Sequence, residues 1–219
     1  MRARLASLSI ALLLALPASS DAKPALSPEL PQSVYKKRRE TLMQRLGGCA
    51  AAIKSFSTDE APDPYFYYLT GVEEKGAILV LAPRSPIVKE SLNFKPRDEE
   101  AEVWTGYREP MSAKLRQKYM VDEVRRVRGT MPSAIRKAMR RTRCYARLRS
   151  ALANRNAMSG ERFGKLLEAF EARVSQKWQE LEHMRAVHDD AELARMDKAI
   201  AITKEGHHAA IRGLVAGVT

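Results

Sequence analysis

The sequence predicts an α/β fold: a mixed β-sheet flanked by helices, followed by one isolated long helix. Short apolar runs between glycine and proline signals, clearest at residues 77–81, alternate with stretches of helical periodicity. After Asp189 a second pattern begins, a single long helix with Leu193, Met196, Ile200, Ile202 and Ile211 as its apolar positions.

Residues 1–22 stand apart from this fold. Arg2 and Arg4 precede an apolar run over residues 5–16, and Pro17 is followed by small residues up to Ala22. That is the layout of a secretory signal peptide. The run is too short to cross a bilayer, which takes about 20 residues. Cleavage is expected after Ala22, or else after Ser20, releasing a periplasmic or secreted protein that does not associate with membranes. Residues 23–32 (KPALSPELPQ) read as a flexible lead-in.

From Ser33, taken as a cap, a helix is expected with Val34, Leu42, Met43 and Leu46 on one face and Gly47-Gly48 ending it. Residues 49–53 form a short apolar strand, and 55–64 a loop. The aromatic cluster Tyr65, Phe66, Tyr67 and Tyr68 is expected to pack in the core. Residues 77–81 read as a buried strand and 88–94 as its weaker neighbour. An acidic helix start is expected at 98–102 and a helical turn at 122–126. A helix with Ala134, Ile135, Ala138 and Met139 inward is expected at 132–141, and a strand at 144–148. Phe163, Leu166, Leu167 and Phe170 mark an amphipathic helix over 159–174. Residues 181–188 are read as a connection, and Asp189 or Asp190 as the cap of the long helix, which ends near Gly213.

The chain carries a formal charge of +12. Thirteen of its lysines and arginines lie between residues 114 and 149, against only Asp122 and Glu123. A basic field of this kind can attract nucleic acid or an anionic surface. The stretch matches no nucleic-acid-binding motif, however, and has few interleaved aromatics, so a solvated basic face is expected and nucleic acid is not a partner. Cys49 and Cys144 both sit in strand-like segments. An oxidising compartment would allow a bridge, but two buried free thiols are the favoured reading.

The residues hold no complete catalytic set. His183, His188, His207 and His208 are the only histidines. The adjacent pair points to different helix faces, and no HExxH, GxSxG, P-loop or dinucleotide pattern is present. Asp98, Glu99 and Glu100 read as a solvated helix start rather than a metal site. No cofactor is expected in this chain.

Three segments together resemble the Xaa-Pro aminopeptidase (aminopeptidase P) family. Residues 63–81, DPYFYYLTGVEEKGAILVL, are similar to the core motif of its N-terminal domain. Lys95-Pro96-Arg97-Asp98 with Glu102-Val103-Trp104-Thr105-Gly106-Tyr107-Arg108 resembles the family's PRD…E-(I/V)-W-x-G-x-R. His183-Met184-Arg185, Glu192-Leu193 and Met196-Asp197-Lys198-Ala199-Ile200 resemble the entry into its metal-binding domain, and residues 206–210 its first helix. The sequence departs from the family at residues 57–61, at Val72, at Lys75 and at residues 187–190.

The resemblance implies a two-domain plan. An N-terminal creatinase-like domain (33–175) would shape the substrate cleft and make subunit contacts. A linker (176–188) would lead to the first helix (189–219) of a truncated "pita-bread" metallopeptidase domain. In the family that domain holds a dinuclear metal centre, usually manganese, on two aspartates, a histidine and two glutamates. None of these ligands maps onto this chain, which is expected to be inactive alone. The partners implied for a full-length parent are Xaa-Pro peptides and further copies of the chain. Trp104 is the one site residue carried across: it either reaches a neighbouring subunit's active site or packs in its own domain. A non-catalytic dimerisation module, or a fragment of a prolidase or creatinase relative, is the alternative.

Overall fold

The computed structural model describes residues 30–55, 63–105, 107–126, 133–148, 165 and 167–214. The predicted signal peptide, nearly all of the lead-in and the first half of the predicted 159–174 helix lie outside them.

Among the described residues, six strands form one mixed sheet in the order β4-β3-β2-β1-β5-β6. They are β1 (Ala50–Lys54), β2 (Ile78–Leu81), β3 (Glu90–Phe94), β4 (Glu123–Arg126), β5 (Cys144–Arg147) and β6 (Arg173–Gln176). The neighbours β1, β2 and β3 run antiparallel, while β3–β4, β1–β5 and β5–β6 are parallel. The expected α/β class and mixed sheet are therefore present.

Side-chain alternation divides the sheet into two faces. Ala51, Ile53, Leu79, Leu81, Leu92 and Phe94 point to one. Against them pack α1 (Gln32–Arg45), α2 (Pro64–Thr70), α4 (Ala113–Tyr119) and α6 (Trp178–Ala186), through residues such as Leu42, Phe66, Leu115 and Leu181. Ala50, Ala52, Ile78 and Val80 point to the other face, covered by Ile135, Ala138 and Met139 of α5 (Ser133–Thr142). Being covered on both sides is why β2 reads ILVL without alternation.

Four sequence expectations change. Residues 122–126 do not form a helical turn; β4 is a strand paired with β3. Its sequence EVRR suits a half-buried edge, where charges discourage pairing with foreign strands and erase the apolar alternation. Of the 159–174 helix, residues 167–169 are helical with Leu167 buried, but Arg173–Gln176 is the other edge strand. The segment read as a linker contains α6, whose Leu181 and Met184 belong to the core. Helix α1 begins a residue before Ser33, and no side chain caps it.

The favoured free thiols are also corrected: Cys49 and Cys144 form a disulfide. Ala50 lies opposite Tyr145 in the parallel pairing of β1 and β5. That register sets the preceding residues side by side, with Cα atoms 4.7 Å apart.

Helix α1 buries two arginines. Arg39, only 1% exposed, donates from Nε to Glu90 Oε2 at 2.9 Å and from Nη1 to the Leu69 carbonyl. Its Nη2 reaches the carbonyls of Tyr119 and Met120. One guanidinium therefore meets a buried carboxylate and the C-terminal carbonyls of α2 and α4, groups that helix geometry leaves unbonded. Burial raises the Glu90 carboxyl above its ordinary value, and Arg39 opposes that rise.

Candidate functional site

The 63–81 segment explains itself physically. Asp63 caps α2, its Oδ1 accepting the amides of Tyr65 and Phe66, and Pro64 occupies the first turn, where it costs no hydrogen bond. The hydroxyl of Thr70 donates back to the Phe66 carbonyl and accepts the amide of Val72. Gly71 closes the helix at φ +65°, where an added Cβ would lie 2.6 Å from the Tyr35 ring. Only glycine meets both demands. Of the four aromatics, Phe66 and Tyr68 are buried as expected, while Tyr65 and Tyr67 are half-buried.

The second segment builds α3 (Glu99–Thr105) and the loop after it. Asp98 accepts the Ala101 amide, so the acidic start works as a cap. Arg97 grips Glu102 through two parallel hydrogen bonds, each 3.0 Å. Those bonds hold the Glu102 carboxyl below its usual range. The Arg97 guanidinium also lies over the Tyr107 ring, and Arg108 donates to the Pro96 carbonyl. The clamp leaves Trp104 on the outside, 89% exposed, with Val103 and Tyr107 exposed beside it. Trp104 is thus not a core residue of its own domain.

Arg126, at the end of β4, joins the first two segments. It donates to Glu74 Oε1 at 3.2 Å, to the Lys95 carbonyl at 2.7 Å and to the Glu109 carbonyl. Burial raises the Glu74 carboxyl above its ordinary value, against the pull of Arg126 and Arg108.

The third segment meets the first. Tyr68 donates its hydroxyl to the Met184 carbonyl at 2.9 Å, Tyr65 reaches Glu182, and Arg185 lies over the Tyr65 ring. Helix α7 (Asp190–Gly213) then leaves the domain behind a capping box, in which Asp189 accepts the Glu192 amide and Glu192 accepts that of Asp189. Arg38 of α1 donates twice to Asp189 and lies 3.1 Å from Glu192. The same guanidinium sits over Tyr68, 4.2 Å from the ring centroid. Beyond this anchor, Leu193, Met196, Ile200, Ile202 and Ile211 of α7 are all exposed.

Sequence reasoning missed Arg38, Arg39 and Arg126, because arginine is expected at the surface. Only the family's spacing could have pointed to the segments they tie together. Among the described residues no group of three His, Cys, Asp or Glu could hold a metal ion. His207 and His208 are exposed on α7. The dinuclear centre that the resemblance implies therefore does not fit the side chains described, and no chemical step is assigned to it. Among the same residues, no helix is long and apolar enough to cross a membrane.

The family model for the aminopeptidase P N-terminal domain matches residues 35–145. This chain belongs to the aminopeptidase P family. A variant of Escherichia coli aminopeptidase P superposes with a TM-score of 0.65 at 21% identity, over 82% of this chain and 44% of that one. Proline aminopeptidase P II from Yersinia pestis gives a TM-score of 0.56 at 22% identity, over 74% of this chain and 41% of that one. These likenesses are of fold, and the chain spans less than half the length of either protein. No curated protein sequence matches it. In aminopeptidase P terms, the matched region runs from α1 to β5 and contains the first two resembling segments, with Trp104 on its outer surface.

Proposed function

We propose that this chain is the N-terminal part of an exported Xaa-Pro aminopeptidase, which removes the residue preceding proline. Its role is to shape the substrate cleft and to make subunit contacts. The observation that carries the reading is Trp104, held outward on a short helix by the Arg97–Glu102 clamp. An indole left in solvent suits contact with another surface better than stability of its own fold. In this reading Trp104 binds substrate in the active site of a neighbouring subunit, and the assembly is a homo-oligomer. The metal pair, manganese by family resemblance, is supplied by ligands other than the described residues. Export is supported by the signal-peptide layout and by the disulfide, which is typical of oxidising compartments.

Two measurements on the 219-residue chain test this: cleavage of an Xaa-Pro peptide with and without manganese, and sedimentation equilibrium. Self-association without turnover is expected, and the Trp104→Ala variant should weaken the association. Manganese-dependent turnover by this chain would overturn the assignment of catalysis to residues outside it. A second reading, a dimerisation module with no peptidase role, rests on the same exposed Val103–Trp104–Tyr107 surface. It would be favoured if the associated chain neither binds Xaa-Pro peptides nor alters their cleavage by an active relative.

A further inference from the structure

Among the described residues, the sheet face carrying α5 is only partly covered. Helix α5 contacts β1, β2 and β5. Beyond it, over β3 and β4, lies a groove of about 230 Å³. That is below the 300–1,000 Å³ common for drug-sized ligands, so it suits a small group.

The floor of the groove sets one buried polar side chain, Ser91, beside the buried Val80 and Ala82. Leu92 and Phe94 of β3 point to the main core, which turns Ser91 and Asn93 to the groove side of the sheet. Ser91 lines the groove and is 1% exposed. Its Oγ accepts a hydrogen bond from Asn93 Nδ2 at 3.1 Å, which leaves the hydroxyl proton without an acceptor among the described residues. Ser85, in the turn before β3, repeats the arrangement: its Oγ accepts the Val88 amide. Two hydroxyls therefore remain as donors at the wall and floor.

The rim is cationic. Lys137 and Arg141 lie one helical turn apart on α5 and line the groove with Lys89, which precedes β3. None of these three has an acidic partner among the described residues. The lining acid, Glu123, is already bound by Arg125 at 2.6 Å. Asp122, next to it in sequence, has one oxygen engaged by the backbone amides of Lys89 and Glu90.

We propose that this groove binds a phosphate group, as inorganic phosphate or as the phosphomonoester headgroup of a lipid. A phosphate carries up to two negative charges at neutral pH and three strong acceptor oxygens. Three cations without an acidic partner among the described residues, one of them a planar guanidinium fork, and two hydroxyl donors match that better than they match a singly charged carboxylate. The site lies on the opposite sheet face from α1 and the α7 anchor, so it is independent of the peptidase reading.

The test titrates inorganic phosphate into the disulfide-bonded chain at constant ionic strength, following amide chemical shifts. Saturable binding is expected. It should weaken about tenfold or more in Lys137→Gln/Arg141→Gln and in Ser91→Ala. Arg136→Gln/Arg140→Gln, which removes equal charge from α5 outside the groove lining, should leave it unchanged. Thermal melting of each variant checks that the fold persists. Flotation with phosphatidic acid vesicles, against phosphatidylcholine alone, separates the sources: lipid binding with the same variant pattern assigns a headgroup, and its absence assigns the free anion. Lack of saturable phosphate binding, acetate binding as tightly, or an equal loss in the Arg136/Arg140 variant would each overturn the proposal.

Discussion

Arg38 Nε and Nη2 both donate to a single oxygen of Asp189, at 3.0 and 2.7 Å, across 151 residues of chain. Arg38 is almost fully buried, whereas Asp189 is partly open to solvent. The aspartate is also the cap of α7, so one carboxylate both starts the helix and fastens it to α1.

This gives α7 a pH dependence. Burial tends to raise the Asp189 carboxyl, but hydrogen bonds from Arg38 and the Glu192 amide outweigh it and hold it below the ordinary 3.8. A depressed folded value means the stabilisation is complete above the unfolded value and is lost as pH falls through the folded one. Protection factors in the first turn of α7, the exchange rates corrected for the intrinsic pH dependence of amide exchange, should therefore be constant through neutral pH and fall only below pH 3.8. The Asp189→Ala variant should show the lower protection at every pH, having lost about 0.5–2 kcal/mol of capping.

The Arg39–Glu90 pair predicts a large effect from a single change. Arg39→Met leaves a buried carboxylate unpaired and three helix-end carbonyls without their donor. Urea unfolding should show a loss of about 3–5 kcal/mol. Restoring part of that loss by adding Glu90→Met would identify the stranded charge as its main source.

Gly71→Ala should be costly for a change of one methyl group. The left-handed backbone costs about 1–2 kcal/mol and the overlap with Tyr35 about 1–3 kcal/mol more. Chemical denaturation of the variant measures the sum.

The disulfide spans a sequence separation of 95 residues. In the chain-entropy model a loop of that size contributes about 4–5 kcal/mol. Thiol titration of protein recovered from an oxidising compartment should find no free cysteine, and Cys49→Ala/Cys144→Ala should melt at a distinctly lower temperature.

Trp104→Ala predicts the opposite outcome for stability. Its side chain is almost wholly exposed, so unfolding free energy should move by no more than about 0.5 kcal/mol. A large loss would mean that the ring packs within its own domain.

Legibility in the sequence followed burial. The run at 77–81 was readable because β2 is covered on both faces, and its apolar character leaves no competing pattern. Helix α4 went unseen because Leu115 is its one fully buried residue, in a segment carrying three cations over seven positions. Edge strands β4 and β6 went unseen because charged residues in β4 and exposed polar ones in β6 replace apolar alternation. The disulfide depended on which strands are neighbours, information that neither cysteine carries in its own segment. Trp104 was legible through family resemblance alone, and the arginines that organise its surroundings were not, because their partners lie up to 151 residues away.

Helix α7 is a rod as well as a surface. Its 24 residues rise about 36 Å from the Arg38 anchor to Gly213. Tilting such a lever by about 5° at its base displaces the tip by about 3 Å. Two hydrogen bonds to one aspartate oxygen therefore act as a pivot, and their stiffness sets how accurately anything carried at the far end is aimed.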